Sequence, residues 1–179
     1  LVRIGVIDES GYIRNAKELR RMGVPVRICH RVREDGEAGE RRILLSGEVL
    51  QKPVFLTASD IRQLQLAKGA IRAGIDTLLQ KAKIPAKELW RIYLTGSFGN
   101  SLSAEDVTGI GLLPETEKEK ITSVSNCAGM GAAMALLSGQ VQRKMEEDAE
   151  KICHVELAGE PDFQERFLKE MNFPGNEVH

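Results

Sequence analysis

The longest run of regular hydrophobic spacing in this chain follows Thr57. Ile61, Leu64, Ala67, Ile71, Ile75, Leu78 and Ala82 recur at intervals of three and four, the stripe of a helix packed on a sheet. Thr57-Ala58-Ser59-Asp60 is a capping box, so a helix is predicted from about Ala58 to Lys83, ended by Pro85. Gly69 and Gly74 each cost this helix about 1 kcal/mol against Ala. Either another backbone packs closely there or a ligand needs the room. Lys68 lies off the stripe beside Gly69, and solvent-facing and ligand-facing roles are both open for it.

Upstream the pattern is shorter in period. Leu1 to Gly5 reads as the last turn of a helix stopped by Gly5, with a strand from Leu1 to Ile7 as the competing reading, and Asp8 to Gly11 as a turn. Asn15 to Met22 is a short helix closed by Gly23, with Pro25 beyond it. Val26 to Val32 alternates as a strand does, Arg33 to Glu40 is a solvated turn, and Arg42–Ser46 and Val54–Thr57 are two further strands. Residues 1–57 therefore read as a small helix and a meander of short strands. Residues 58–179 read as a long helix followed by βα units.

Two such units carry the chemistry. Arg91 to Thr95 is a β-favouring run that ends in Gly96-Ser97-Phe98-Gly99-Asn100, a loop whose glycines permit positive φ and close approach of a ligand to bare backbone. Ser103 and Asp106 form a capping box that opens a helix at about Ala104. The second unit runs from the strand Lys120–Ser125 through Asn126-Cys127-Ala128-Gly129-Met130-Gly131 into the small-residue helix Ala132–Leu137. Asn126 is a candidate N-cap, and free N–H groups at that helix start suit a phosphate or a ribose hydroxyl. The two strands should be adjacent and parallel, with both loops on one edge, where open α/β sheets bind ligands. The competing reading is that the glycines only allow tight turns and close packing. Beyond Gly139 a helical pattern resumes over Gln140–Lys151. His154–Leu157 reads as a strand, Pro161–Met171 as an amphipathic helix with Phe163, Phe167 and Met171 four apart, and the residues after Pro174 as a frayed end.

Composition narrows the function. A length of 179 residues, 42% hydrophobic content and a formal charge of −1 fit a globular α/β protein. Without a long basic run, nucleic-acid binding is disfavoured. No apolar run approaches the roughly 20 residues that span a bilayer. Three scattered cysteines, Cys29, Cys127 and Cys153, suggest reduced thiols and a cytoplasmic protein, and no metal site is expected. Because the first residue is Leu, the chain is expected to begin inside a larger protein.

The segments ASDIRQLQLAKGAIRAGIDTLL (58–79), IYLTGSFGN (92–100), IGLLP (110–114), SNCAGMGAAMALLS (125–138) and VELAGEPDFQERF (155–167) resemble the C-terminal domain of the reductive activators of corrinoid proteins. These are iron–sulfur proteins of anaerobic methyl-transfer metabolism. The resemblance implies an α/β fold of the ASKHA type (acetate and sugar kinases, heat-shock chaperones, actin), a ribonuclease-H-like lobe whose mixed sheet is flanked by helices. It implies that Gly96, Ser97, Phe98, Gly99 and Asn100 form the adenosine-binding turn. By the same analogy Asn126, Gly129 and Gly131 line the neighbouring wall, and Gln65 and Lys68 flank the adenine or ribose. Ser97 departs from the family pattern, which has a second adjacent glycine there.

The implied activity is ATP-driven transfer of an electron from a 2Fe-2S cluster to a Co(II) corrinoid protein, regenerating Co(I). The cofactors are ATP with Mg, and the cluster is expected only in an N-terminal domain that this chain lacks, together with the first phosphate loop. The chain alone is therefore expected to hydrolyse little ATP, and its catalytic residues cannot be named. The expected partner is the corrinoid protein, and a homodimer is a further expectation. Two alternatives stay open. One is an activator of 2-hydroxyacyl-CoA dehydratases, with Cys127 and Cys153 holding a shared cluster. The other is a docking module that no longer binds nucleotide, which Ser97 favours.

Overall fold

A computed structural model of the chain describes residues 1–35, 40–46, 52–96 and 101–175. They form two compact units. The first comprises Leu1–Ala73, Gly109–Leu112 and Gln164–His179, the second Gly74–Thr108 and Leu113–Phe163. The chain is α/β, as expected, with its strands divided between a three-stranded antiparallel sheet and a two-stranded parallel one. No helix among the described residues is long and apolar enough to cross a membrane.

In the first unit the opening residues form a helical turn closed at Gly5 (φ +71°). The Gly5 N–H donates to Val2 O and the Val6 N–H to Leu1 O, the paired bonds of a glycine C-cap. Helix α1 (Ala16–Arg21) begins at a capping box between Asn15 and Glu18 and ends in the same motif at Gly23 (φ +77°). The strand expected over Val26–Val32 is instead a helical turn, α2 (Val26–Cys29). Pro25, at φ −53°, starts the chain into it, and the two buried side chains, Cys29 and Val32, are three residues apart, a helical interval. Val32 then begins strand β1 (Val32–Asp35), where a solvated turn was expected, because burying Val32 draws the charged residues after it into register with β2 (Glu40–Ser46). Glu34 faces Arg41 across that ladder and pairs with its guanidinium at 3.0 Å. Strand β3 (Val54–Thr57) completes the meander, with a register shift between Leu44 and Ser46. The core gathers Val6, Ile7, Ile13, Leu19, Cys29, Val32, Ile43, Ile61 and Phe173.

Helix α3 (Ala58–Ala82) follows directly. Its capping box is present: the Asp60 N–H donates to Thr57 Oγ1, and the Thr57 N–H and hydroxyl both donate to the Asp60 carboxylate. Its buried face is not the predicted apolar stripe. Ile61, Gln65, Lys68, Gly69, Ala73 and Thr77 are buried, while Leu64, Ile71 and Leu78 are exposed. The rotation is set by Gly69. A β-carbon there would stand 3.2 Å from both Phe167 O and Met171 N, so only a bare backbone lets the two segments come this close.

In the second unit β4 (Ile92–Leu94) pairs in parallel with β5 (Ile121–Ser123), and α4 (Ala104–Gly109) lies in the connection between them. Helix α5 (Cys127–Leu137) and α6 (Gly139–Ala149) share Ser138, which ends the first and caps the second. The break thus falls at Ser138, and Gly139 opens α6. The strand expected at His154–Leu157 is absent. A turn closes there, Gly159 N–H donating to Glu156 O at 3.2 Å, and Leu157–Gly159 is a 3₁₀ turn. Helix α7 (Phe163–Glu170) ends the regular structure. Phe173, beyond it, is a buried core residue held by its own N–H on Glu9 O at 2.9 Å, so the chain is anchored up to that point.

Candidate functional site

The parallel ladder of β4 and β5 ends both strands at one sheet edge, as the two βα units predict. Ile92, Tyr93 and Leu94 face Ile121, Thr122 and Ser123, and the Val124 N–H adds a bond to Leu94 O at 2.8 Å. Past Leu94, the Thr95 hydroxyl oxygen accepts the Cys127 N–H at 3.2 Å. This bond ties the end of one strand to the helix that follows the other. Thr95 was not singled out from the sequence; a hydroxyl residue between a strand and a glycine was the available signal.

Gly96 has φ +86°, a conformation only glycine adopts without strain, and among the described residues, its chain neighbours aside, no atom lies within 4 Å of where its β-carbon would be. Ser97, Phe98, Gly99 and Asn100 lie outside the described residues. Where the chain resumes, Ser103 and Asp106 form the predicted capping box, with the Asp106 N–H on Ser103 Oγ at 3.0 Å and that hydroxyl on the carboxylate at 2.7 Å.

Asn126 is the N-cap of α5, as expected, but in a left-handed conformation (φ +38°, ψ +55°). Its side-chain oxygen accepts the Gly129 N–H at 3.1 Å, and its carbonyl accepts the Met130 N–H at 3.0 Å. A β-carbon at Gly129 would collide with the Asn126 amide, so this glycine serves the cap directly. Gly131 is different: a β-carbon there meets only Met145 Cε, at 3.5 Å. With the Cys127, Gly129 and Met130 N–H groups bonded, Ala128 holds the first-turn donor without a partner among the described residues. Cys127 itself is exposed, as is Cys153, and both are free thiols.

Gln65 and Lys68 belong to the first unit and are buried, at 2% and 1% exposure. The solvent-facing reading of Lys68 is thereby overturned. Its ammonium donates to Asn172 O at 2.5 Å and lies 5.7 Å from the centre of the Phe173 ring. Burial pushes its pKa below the ordinary lysine value of 10.5; Glu170 opposes that shift and Arg72 adds to it. Gln65 packs on the turn at Gly11 (φ +86°), where a β-carbon would stand 2.8 Å from Oε1, and its amide nitrogen is buried without a partner. No local residue pattern signals that the segment after α7 supplies the carbonyl for Lys68.

Parallel strands that end at one edge, with a capped helix start beside them, are the arrangement at which open α/β sheets bind ligands. The family model described as the C-terminal domain of RACo, the ASKHA domain, matches residues 1–179, and the chain belongs to that family. A corrinoid activation enzyme, RamQ of Eubacterium limosum, is 34% identical over 136 residues, 75% of this chain and 23% of that protein. The [Co(II) methylated amine-specific corrinoid protein] reductase of Methanosarcina barkeri is 29% identical over 133 residues, 73% of this chain and 24% of that one. A solved structure of a reductive activator for corrinoid, iron–sulfur protein superposes with a TM-score of 0.80 at 32% identity, covering all of this chain and 27% of its own. The chain thus spans about a quarter of the length of these relatives.

Proposed function

We propose that this chain is the ATP-binding lobe of an iron–sulfur protein that returns Co(II) corrinoid proteins to Co(I) in anaerobic methyl transfer. The observation that carries the reading is the bond from Cys127 N–H to Thr95 Oγ1, which ties the end of β4 to the start of α5 beside the positive-φ backbone of Gly96. The fit to a nucleotide is specific to these residues. Bare backbone at Gly96 admits a flat base or ribose, and the unpartnered Ala128 N–H at the start of α5 is aligned with the helix dipole for a hydroxyl or phosphate oxygen. Asn126, Gly129 and Gly131 would form one wall of the site. Gln65 and Lys68 are buried within the first unit, where Lys68 donates to Asn172 O, and they carry no part of this reading.

ATP with Mg, when bound, supplies the free energy that an electron needs to reach Co(II). The 2Fe-2S cluster that gives the electron belongs, in this reading, to a separate N-terminal domain of a longer cytoplasmic protein. The names of the relatives favour this over a dehydratase activator. The test is to mix the full-length protein, reduced and anaerobic, with a Co(II) corrinoid protein and follow Co(I) by absorbance. Reduction should require ATP. Equal rates with and without ATP, and no ATP binding by calorimetry, would leave a docking module in its place.

A further inference from the structure

Between Leu19 and Arg33 the chain carries five arginines and one histidine and no acidic residue, although its formal charge as a whole is −1. The segment covers the end of α1, all of α2 and the start of β1. Arg20, Arg21, Arg27, His30, Arg31 and Arg33 are all exposed. Arg31 and Arg33 turn back onto local carbonyls, those of Leu45 and His30. Arg20, Arg21 and Arg27 have no carboxylate partner among the described residues.

Cations are favoured in the last turn of a helix, where Arg20, Arg21 and Arg27 stand. That preference does not account for fifteen residues without an acid. Nor does it account for the two apolar side chains among the arginines, Met22 at 52% and Val26 at 57% exposure. Arg and Met are enriched at protein interfaces, and a bare guanidinium is the side chain that pairs with carboxylates two bonds at a time. The backbone beneath is also held firmly. Gly23 closes α1 with its N–H on Arg20 O, Val24 N–H reaches Leu19 O at 3.0 Å, and Pro25 follows. Leu19 and Cys29 are fully buried under the corner, and the Cys29 thiol donates to Val24 O. Cations presented on a fixed backbone lose little freedom when they bind.

We propose that Arg20, Arg21, Arg27, His30 and Arg31, with Met22 and Val26 among them, form a docking surface for an acidic face of a partner protein. That the partner is the corrinoid protein rests on the functional reading above. A protein is favoured over a nucleic acid because exposed apolar side chains, Met22 and Val26, alternate with the cations along the segment and the chain as a whole is slightly acidic.

The experiment uses the full-length protein and a purified Co(II) corrinoid protein. Association and dissociation rates are measured at low and at high salt for wild type, for Arg20→Glu/Arg21→Glu/Arg27→Glu and for the Arg→Gln triple. The Gln variant guards against destabilising the end of α1 with acids. At low salt the Glu variant should associate about tenfold more slowly or worse, with the Gln variant between it and wild type and the gap closing at high salt. ATP affinity should be the same in all three. If wild type binds the corrinoid protein and both variants match its rates and salt dependence, the docking surface is wrong and the functional reading stands. If wild type binds no corrinoid protein, the functional reading fails and takes this assignment with it. Loss of duplex-DNA binding in the variants, with corrinoid-protein binding intact, would also overturn it.

Discussion

Asn126 sits at φ +38°, where a β-carbon crowds the following carbonyl at a cost of about 1–2 kcal/mol. It is tolerated because its side chain caps α5 and because Gly129 leaves room for the amide. Two substitutions separate these effects. Asn126→Ala loses the cap and keeps the strain, so α5 should be destabilised by about 0.5–2 kcal/mol. Asn126→Gly loses the cap but relieves the strain, and should cost only a few tenths. Hydrogen exchange across α5 would rank them, and equal protection in the two variants would refute the strain. The cap was legible because Asn before a small-residue helix is a local signal. The left-handed backbone was not, since it depends on how β5 meets α5. Lys68 was misread for a related reason: its partner, Asn172 O, lies 104 residues away in sequence. Because its folded pKa is lowered, its contribution favours folding above the ordinary value of 10.5 and is lost as pH falls through the lowered one. Wild type should therefore gain stability relative to Lys68→Met as pH rises towards 10.5 in denaturant unfolding. A difference that does not move with pH would contradict the buried, desolvated ammonium.

At the scale of elements, the two glycines of α3 answer the question their spacing raised. Gly69 meets backbone, Phe167 O and Met171 N at 3.2 Å, whereas Gly74 meets only the methyl of Leu157 at 3.3 Å. A backbone contact cannot give way locally, but a leucine can turn. Gly74→Ala should thus gain up to about 1 kcal/mol from helix propensity, while Gly69→Ala should lose more than that gain. Thermal unfolding of the pair would show it, and the same sign for both would undercut the close-approach account of how α3 is rotated. Helix existence was readable from Thr57, Asp60 and the three–four spacing. Its buried face was not, because Leu64, Ile71 and Leu78 make the stronger periodic stripe while Gly69 decides which side packs within the unit. Val26–Cys29 failed in the opposite way. Its β-branched residues outweighed Pro25 in a strand reading, although the buried side chains follow a helical interval.

At the scale of the molecule, the parallel pairing of β4 and β5 was legible because two strand–glycine–helix units in succession have few other ways to pack. The division of the chain into two units within α3 was not, since nothing in the periodicity changes between Ala73 and Gly74. The nucleotide is assigned to the positive-φ backbone of Gly96. Gly23 provides a matched control: it too has positive φ (+77° against +86°) and, among the described residues and chain neighbours aside, no atom within 4 Å of a β-carbon, so valine carries similar strain, about 1–3 kcal/mol, at either place. The decisive measurement is ATP affinity of the full-length protein by calorimetry, for wild type, Gly96→Val and Gly23→Val, each checked to be folded. Gly96→Val should bind ATP at least about tenfold more weakly, a loss of about 1.4 kcal/mol or more, and Gly23→Val should bind as wild type does. Undiminished affinity in a folded Gly96→Val protein would contradict the assignment of the nucleotide to this loop.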